Sequence, residues 1–150
     1  MKKIILFVFA VVISLFLTGC GVKKELSAEE FTKTMSEQGF TVNDYTDLVK
    51  EQNQEKLLIA KKSEYEIDFQ VYKTEDDAKK AFSGNKKAFK NYKNKNSVEK
   101  SKKINNYEKY TLELSDRYDV VIRNGKTLIY ASINLQHKKD LNNVISNMGY

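Results

Sequence analysis

Two alternating runs that meet at a turn constrain this fold more than any other feature of the sequence. Tyr118, Val120 and Ile122 alternate with their neighbours, a second run extends from Leu128 to Ile133, and Asn124-Gly125 lies between them. Side chains along a strand point to opposite faces with period two, and Asn-Gly accepts the positive φ angles of a type I′ turn. A β-hairpin is predicted here. Tyr110, Leu112 and Leu114 alternate in the same way before a turn at Ser115-Asp116, which extends the hairpin to a three-strand meander.

The first half of the chain carries the same signals. Tyr65, Ile67, Phe69 and Val71 alternate with Glu66, Asp68 and Gln70, and the apolar run Leu57–Ala60 pairs with them as a second antiparallel hairpin, preceded by a short strand at Phe40 and Val42. Ser27 and Glu30 form a capping box, and Leu26 with Phe31 a hydrophobic staple. The helix they start carries Ala28, Phe31 and Met35 on one face and ends near Gln38, where Gly39 takes a left-handed cap. Thr74 with Asp77 starts a second helix bearing Ala78, Ala81, Phe82, Ala88, Phe89 and Tyr92, with Ser83-Gly84-Asn85 as a candidate break. From Asn94 to Lys103 only Val98 is apolar, which predicts a solvated loop or an edge strand guarded by lysine. Leu135, Leu141, Val144, Ile145 and Met148 mark an amphipathic C-terminal helix. This order predicts an α+β fold, an antiparallel β-sheet of about five to seven strands with two or three helices packed on one face.

The N-terminus belongs to a different physical class. Met1-Lys2-Lys3 is positively charged, and Ile4 to Leu17 is apolar apart from Ser14. That run is shorter than the roughly 20 residues needed to span a bilayer core, and small residues follow it, as in a secretory signal peptide. Leu17-Thr18-Gly19-Cys20 then resembles the lipobox of bacterial lipoproteins: an aliphatic residue, two small residues and a cysteine. The resemblance covers residues 1–20. It implies cleavage by signal peptidase II between Gly19 and Cys20, and a diacylglycerol thioether on Cys20, which would become the first residue of the mature protein. Two acyl chains suffice for stable anchoring at about 0.8 kcal/mol per buried methylene. The expected organisation is a cleaved signal peptide at 1–19, the lipidated Cys20 and a short tether at 20–26, and a single α+β domain at 27–150, held to the outer face of the cell membrane. That length suits one domain and excludes a bilobed solute receptor.

Composition narrows the chemistry. Cys20 is the only cysteine, so the domain holds together without an internal disulfide. Lysine outnumbers arginine 24 to 2 and asparagine reaches 13, a bias that AT-rich coding in a low-GC Gram-positive bacterium would produce. His137, the only histidine, stands beside Lys138 and Lys139 with no Gly-x-Ser-x-Gly elbow to partner it. The usual zinc ligands are absent, as are a P-loop and a dinucleotide-binding glycine motif. No cofactor or metal is implied. Carboxylates are the remaining catalytic material: Glu64, Glu66 and Asp68 share a strand face, and Glu75, Asp76 and Asp77 cluster at a helix start. A solvated strand face and a complement to the helix dipole account for both sets.

The net charge of +6 is segregated along the chain: residues 25–77 hold 14 acids and 6 lysines, whereas residues 79–103 hold 10 lysines and one acid, Glu99. Lys86, Lys87, Lys90, Lys93 and Lys95, interleaved with Phe89 and Tyr92, are the concentrated candidate for binding a polyanion. The same spacing also describes a solvated helix face over a buried aromatic stripe. The expected function is therefore a membrane-anchored, non-enzymatic binding or accessory module at the cell envelope, its partner an envelope protein, a peptide or an anionic wall polymer, and not nucleic acid inside the cell. The alternatives are a small carboxylate-dependent cell-wall hydrolase and an immunity or exclusion lipoprotein.

Overall fold

A computed structural model describes residues 23–50 and 52–150. The signal peptide, the lipobox and Cys20 lie outside the described residues. The elements follow as α1 (Ala28–Glu37), β1 (Thr41–Asp44), a 3₁₀ turn (Thr46–Leu48), β2 (Gln54–Lys61), β3 (Glu66–Tyr72), α2 (Glu75–Lys90), β4 (Val98–Ile104), β5 (Tyr107–Glu113), β6 (Arg117–Asn124), β7 (Thr127–Asn134), a second 3₁₀ turn (Leu135–His137) and α3 (Lys138–Asn147). All seven strands form one antiparallel sheet in the order β1-β2-β3-β7-β6-β5-β4. The fold is α+β, as the patterning predicts, and the lysine-rich segment after α2 resolves into the edge strand β4.

Local signals act where they are written. The Ser27 hydroxyl accepts from the Glu30 amide at 3.1 Å while the Glu30 carboxylate accepts from the Ser27 amide at 3.0 Å, which completes the capping box. Gly39, at φ +79°, closes α1 as its amide donates to Ser36 O and that of Phe40 to Met35 O. By contrast, α2 runs unbroken through Ser83-Gly84-Asn85. Burial of Phe82 and Phe89 contributes roughly 1.5–3 kcal/mol each, more than the ~1 kcal/mol that a glycine costs inside a helix.

The helices do not share one face. α1 and α3 bury Phe31, Met35, Leu141, Val144 and Ile145 against Phe69, Val120, Ile122 and Ile129, with the rings of Phe31 and Phe69 stacked at 4.7 Å. α2 buries Ala78, Phe82 and Phe89 against Tyr110, Leu112, Val121 and Leu128 on the other side. The expected single helical layer is thus two. β6 is consequently buried on both faces, and two of its three charged residues lie inside: Asp119 is 0% exposed and Arg123 1%. Each is paired, as burial of charge requires. Asp119 accepts from Ser132 Oγ at 2.6 Å and from Arg117 Nε at 3.0 Å.

The β6–β7 turn also differs from the sequence reading. Asn124 pairs with Thr127, so the two loop residues are Gly125 and Lys126, and only Gly125 takes a positive φ, at +56°. That is the first central position, where a type II′ turn takes glycine. Asn124 itself is the last strand residue and fully buried.

Candidate anion-binding groove

The two-sided packing leaves one part of the α1/α3 face uncovered. α1 lies over β1 and β2, and the first turn of α3 stops beside Tyr118. β5 and β4 continue past it. Register then decides which side chains line the open strip: Lys102 stands opposite Lys109, Lys100 opposite Thr111 and Val98 opposite Glu113. These strands and the start of α3 enclose a groove of about 550 Å³.

Its floor is Thr111 and Tyr118, both buried. Its wall is α3, where Lys138 donates to Glu113 and lies 5.4 Å above the Tyr118 ring, and where Asn142 Oδ1 accepts from the Tyr118 hydroxyl at 3.3 Å. The one acid of the lining, Glu113, is therefore already paired. Lys100, Lys102 and Lys109 have no carboxylate within ion-pair distance among the described residues. Burial, and then the ammonium groups of Lys23 and Lys102, hold Lys109 below its ordinary pKa. Lys23 is lowered too, by burial and by Lys102. Lys102 and Lys109 thus crowd one end of the groove, with Lys23 just beyond its lining, and an anion placed between them would relieve that repulsion.

The lysines singled out in the sequence lie on the opposite side of the sheet. Lys90 binds Glu99 at 3.2 Å and Lys93 binds the same carboxylate, which holds Glu99 down at about 2. Lys86 lies 5.2 Å and Lys90 5.9 Å from the centre of the Tyr110 ring. Lys87 and Lys95 are exposed and are not brought into a shared cavity with the others. Of the interleaved aromatics, Phe89 enters the core, whereas Tyr92 is 60% exposed and stacks under Arg117 at 4.3 Å. The structure therefore divides the lysine-rich segment, sending the helical lysines to one face and Lys100 and Lys102 to the other. The lysine-rich run of the sequence points to neither Lys109 nor Lys138. The alternation of Lys100 with Lys102 was a visible signal, but Lys109 joins them only through strand register.

Of the candidate carboxylates, Glu64 lines a second, lysine-rimmed cavity of about 680 Å³ with Asp140, but Asp140 accepts from the Tyr65 hydroxyl at 2.7 Å and lies 3.6 Å from Lys62 Nζ, so no free pair of acids converges there. Asp76 pairs with Lys79 at 3.0 Å and Asp77 with Lys80 at 3.9 Å. Asp68 is pushed up to about 6, chiefly by burial and then by Glu66. The nearby buried acid, Asp119, is occupied by Arg117 and Ser132. His137 lies against Tyr65 at 5.7 Å between ring centres, and Gln136 Nε2 is 2.9 Å from its Nε2. Among the described residues no group of three or more His, Cys, Asp or Glu side chains is placed to hold a metal ion, and no helix is long and apolar enough to cross a membrane. No protein-family model matches the chain, and neither a curated protein nor a solved structure does.

Proposed function

We propose that this chain is a membrane-anchored extracytoplasmic lipoprotein whose domain is a non-enzymatic module for an anionic ligand, with a phosphate-bearing wall polymer as the ligand class. The anchoring half of the reading is supported by the complete Leu17-Thr18-Gly19-Cys20 match and the apolar run before it. The binding half is carried by one observation: Lys100, Lys102 and Lys109 stand side by side in an open groove with no carboxylate partners among the described residues. The cationic row has a polar, partly aromatic floor and runs along two strands, a shape suited to an extended polyanion.

The two halves are tested separately. Cys20→Ser abolishes incorporation of a fatty-acid analogue in a producing strain, and equal labelling of both proteins would refute the anchor. For the groove, purified wall polymer is titrated at several ionic strengths. Three neutralised phosphates predict a slope of log affinity against log salt of roughly −2, by analogy with single-stranded nucleic acid. Lys100→Gln, Lys102→Gln and Lys109→Gln together reduce affinity by about tenfold or more and flatten that slope, whereas Lys86→Gln with Lys87→Gln leaves both nearly unchanged. Equal losses in the two variants would place the binding elsewhere.

A further inference from the structure

The segment before α1 is fastened to the domain. Lys24 O accepts from Asn124 Nδ2 at 2.7 Å, Lys23 O accepts from Asn106 Nδ2 at 3.3 Å, and the Leu26 amide donates to the Tyr150 hydroxyl at 3.2 Å. Lys23 Nζ donates to Gly149 O at 2.5 Å and lies over the rings of Tyr107 and Tyr150, at 4.6 and 5.5 Å. All these partners belong to one end of the sheet, formed by the β4–β5 turn, the β6–β7 turn and the C-terminus. The Gly125 amide donates to Asn106 O and the Tyr72 amide to Lys126 O, both at 3.0 Å, which joins the turns into a continuous rim.

This rim carries a cationic and apolar combination. Lys23, Lys73, Lys103 and Lys126 are exposed along it, with Ile104 51% exposed at the tip of β4. Lys103 pairs with Glu108 at 3.5 Å, whereas Lys73 and Lys126 have no acid within ion-pair distance among the described residues. Among the described residues the acids at this end are Glu25, beside Gly125, Glu108, already paired with Lys103, Glu55 at the start of β2, and Glu75, Asp76 and Asp77 at the start of α2. Asp76 and Asp77 are paired within their own helix, with Lys79 and Lys80.

We propose that this rim is a membrane-contact surface that lies on anionic phospholipid headgroups, with Ile104 entering the interface. The inference rests on the lipoprotein reading for its direction. Cys20 precedes Lys23 by three residues, a reach of at most about 11 Å. Acyl chains on Cys20 therefore bring this end of the domain to the bilayer, because Lys23 and Lys24 are held there. The lipid chemistry follows separately from the rim itself, since each lysine close to an anionic surface multiplies partitioning roughly fivefold.

The test uses the full-length protein purified from a producing strain and reconstituted into vesicles of equimolar phosphatidylglycerol and phosphatidylcholine, or of phosphatidylcholine alone. Fluorescent reporters are placed at Ile104→Cys and, at the opposite end of the sheet, at Asp116→Cys, and are quenched by headgroup-labelled lipid. Quenching at position 104 should exceed that at 116 several-fold, rise with phosphatidylglycerol, and fall about twofold or more while staying above that at 116 when Lys73, Lys103 and Lys126 are changed to Gln, because the tether remains; no fall in that variant overturns the headgroup contact. Equal quenching at both positions in lipidated protein overturns the rim and leaves the anchor standing. The mass of each sample reports the anchor independently. Should Cys20 prove unmodified, Cys20→Ser protein carrying the same reporters is mixed with the vesicles: quenching at 104 on phosphatidylglycerol then upholds the rim without the anchor, and its absence there rejects both.

Discussion

Arg123 and Glu108 face each other across the β5–β6 register and share two hydrogen bonds, from Nε at 3.1 Å and from Nη2 at 2.9 Å. A third Arg123 nitrogen, Nη1, donates to Gly125 O at 3.0 Å. The guanidinium is thus buried with three hydrogen bonds to two partners, one of them the turn that sits on the rim. Arg123→Ala should cost about 3–5 kcal/mol, because it leaves Glu108 half-buried and the Gly125 carbonyl without its donor. Arg123→Met combined with Glu108→Leu should recover most of that loss, since an apolar pair of similar volume needs no desolvation of charge. Urea midpoints of the two variants decide the matter. A cost below about 1 kcal/mol for Arg123→Ala would mean that the pair adds little to the fold.

Asn124 reaches Lys24 O, Asn106 Nδ2 at 2.9 Å and the Tyr150 hydroxyl at 3.3 Å from a fully buried position. Asn124→Ala removes the donor from a carbonyl 100 residues away in sequence and leaves Asn106 Nδ2 with only the longer bond to Lys23 O. The expected loss is about 2–3 kcal/mol. A second readout isolates the local effect: trypsin should cut after Lys23 or Lys24 several-fold faster in the variant under conditions where the sheet stays folded. Unchanged cutting would show that the other fastenings hold the segment alone.

Asp68 gives the fold a pH dependence of definite sign. Its folded pKa is raised to about 6 from an ordinary 3.8, because burial penalises the carboxylate. Below about pH 3.8 it is protonated in both states and its contribution is complete. As pH rises towards 6 the unfolded chain ionises first and stability falls, with the loss complete above about 7. After allowance for partial exposure the effect is about 2 kcal/mol. Asp68→Asn should therefore be more stable than the wild type at about pH 7.5 and equal to it at about pH 4. Denaturation at the two pH values measures this directly, and a variant less stable at both would assign Asp68 a stabilising ionised role instead.

The secondary structure was legible wherever local chemistry alone determines it. Ser27, Glu30 and Gly39 bound α1 by hydrogen bonds that reach no farther than one helical turn, and Thr74 starts α2 in the same manner. The alternation of Ile67 with Asp68, or of Val120 with Val121, states which residues share a face, because strand geometry has period two. It does not state what covers each face. Val120-Val121-Ile122 and Leu128-Ile129 are apolar without interruption, the mark of strands buried on both sides, and they were the available hint that α2 packs opposite α1 and α3.

Local chemistry along the chain accounts for the set of elements, the α+β class and the residues within each element that must turn inward together. Long-range packing accounts for the remainder. It set Lys102 opposite Lys109, gave Lys90 and Lys93 to Glu99, and turned Asn124 from an expected turn residue into a buried fastening for Lys24. Each of these depends on strand register or layer assignment, which are selected by the burial of apolar surface summed over the whole sheet. No window of a few residues contains that sum.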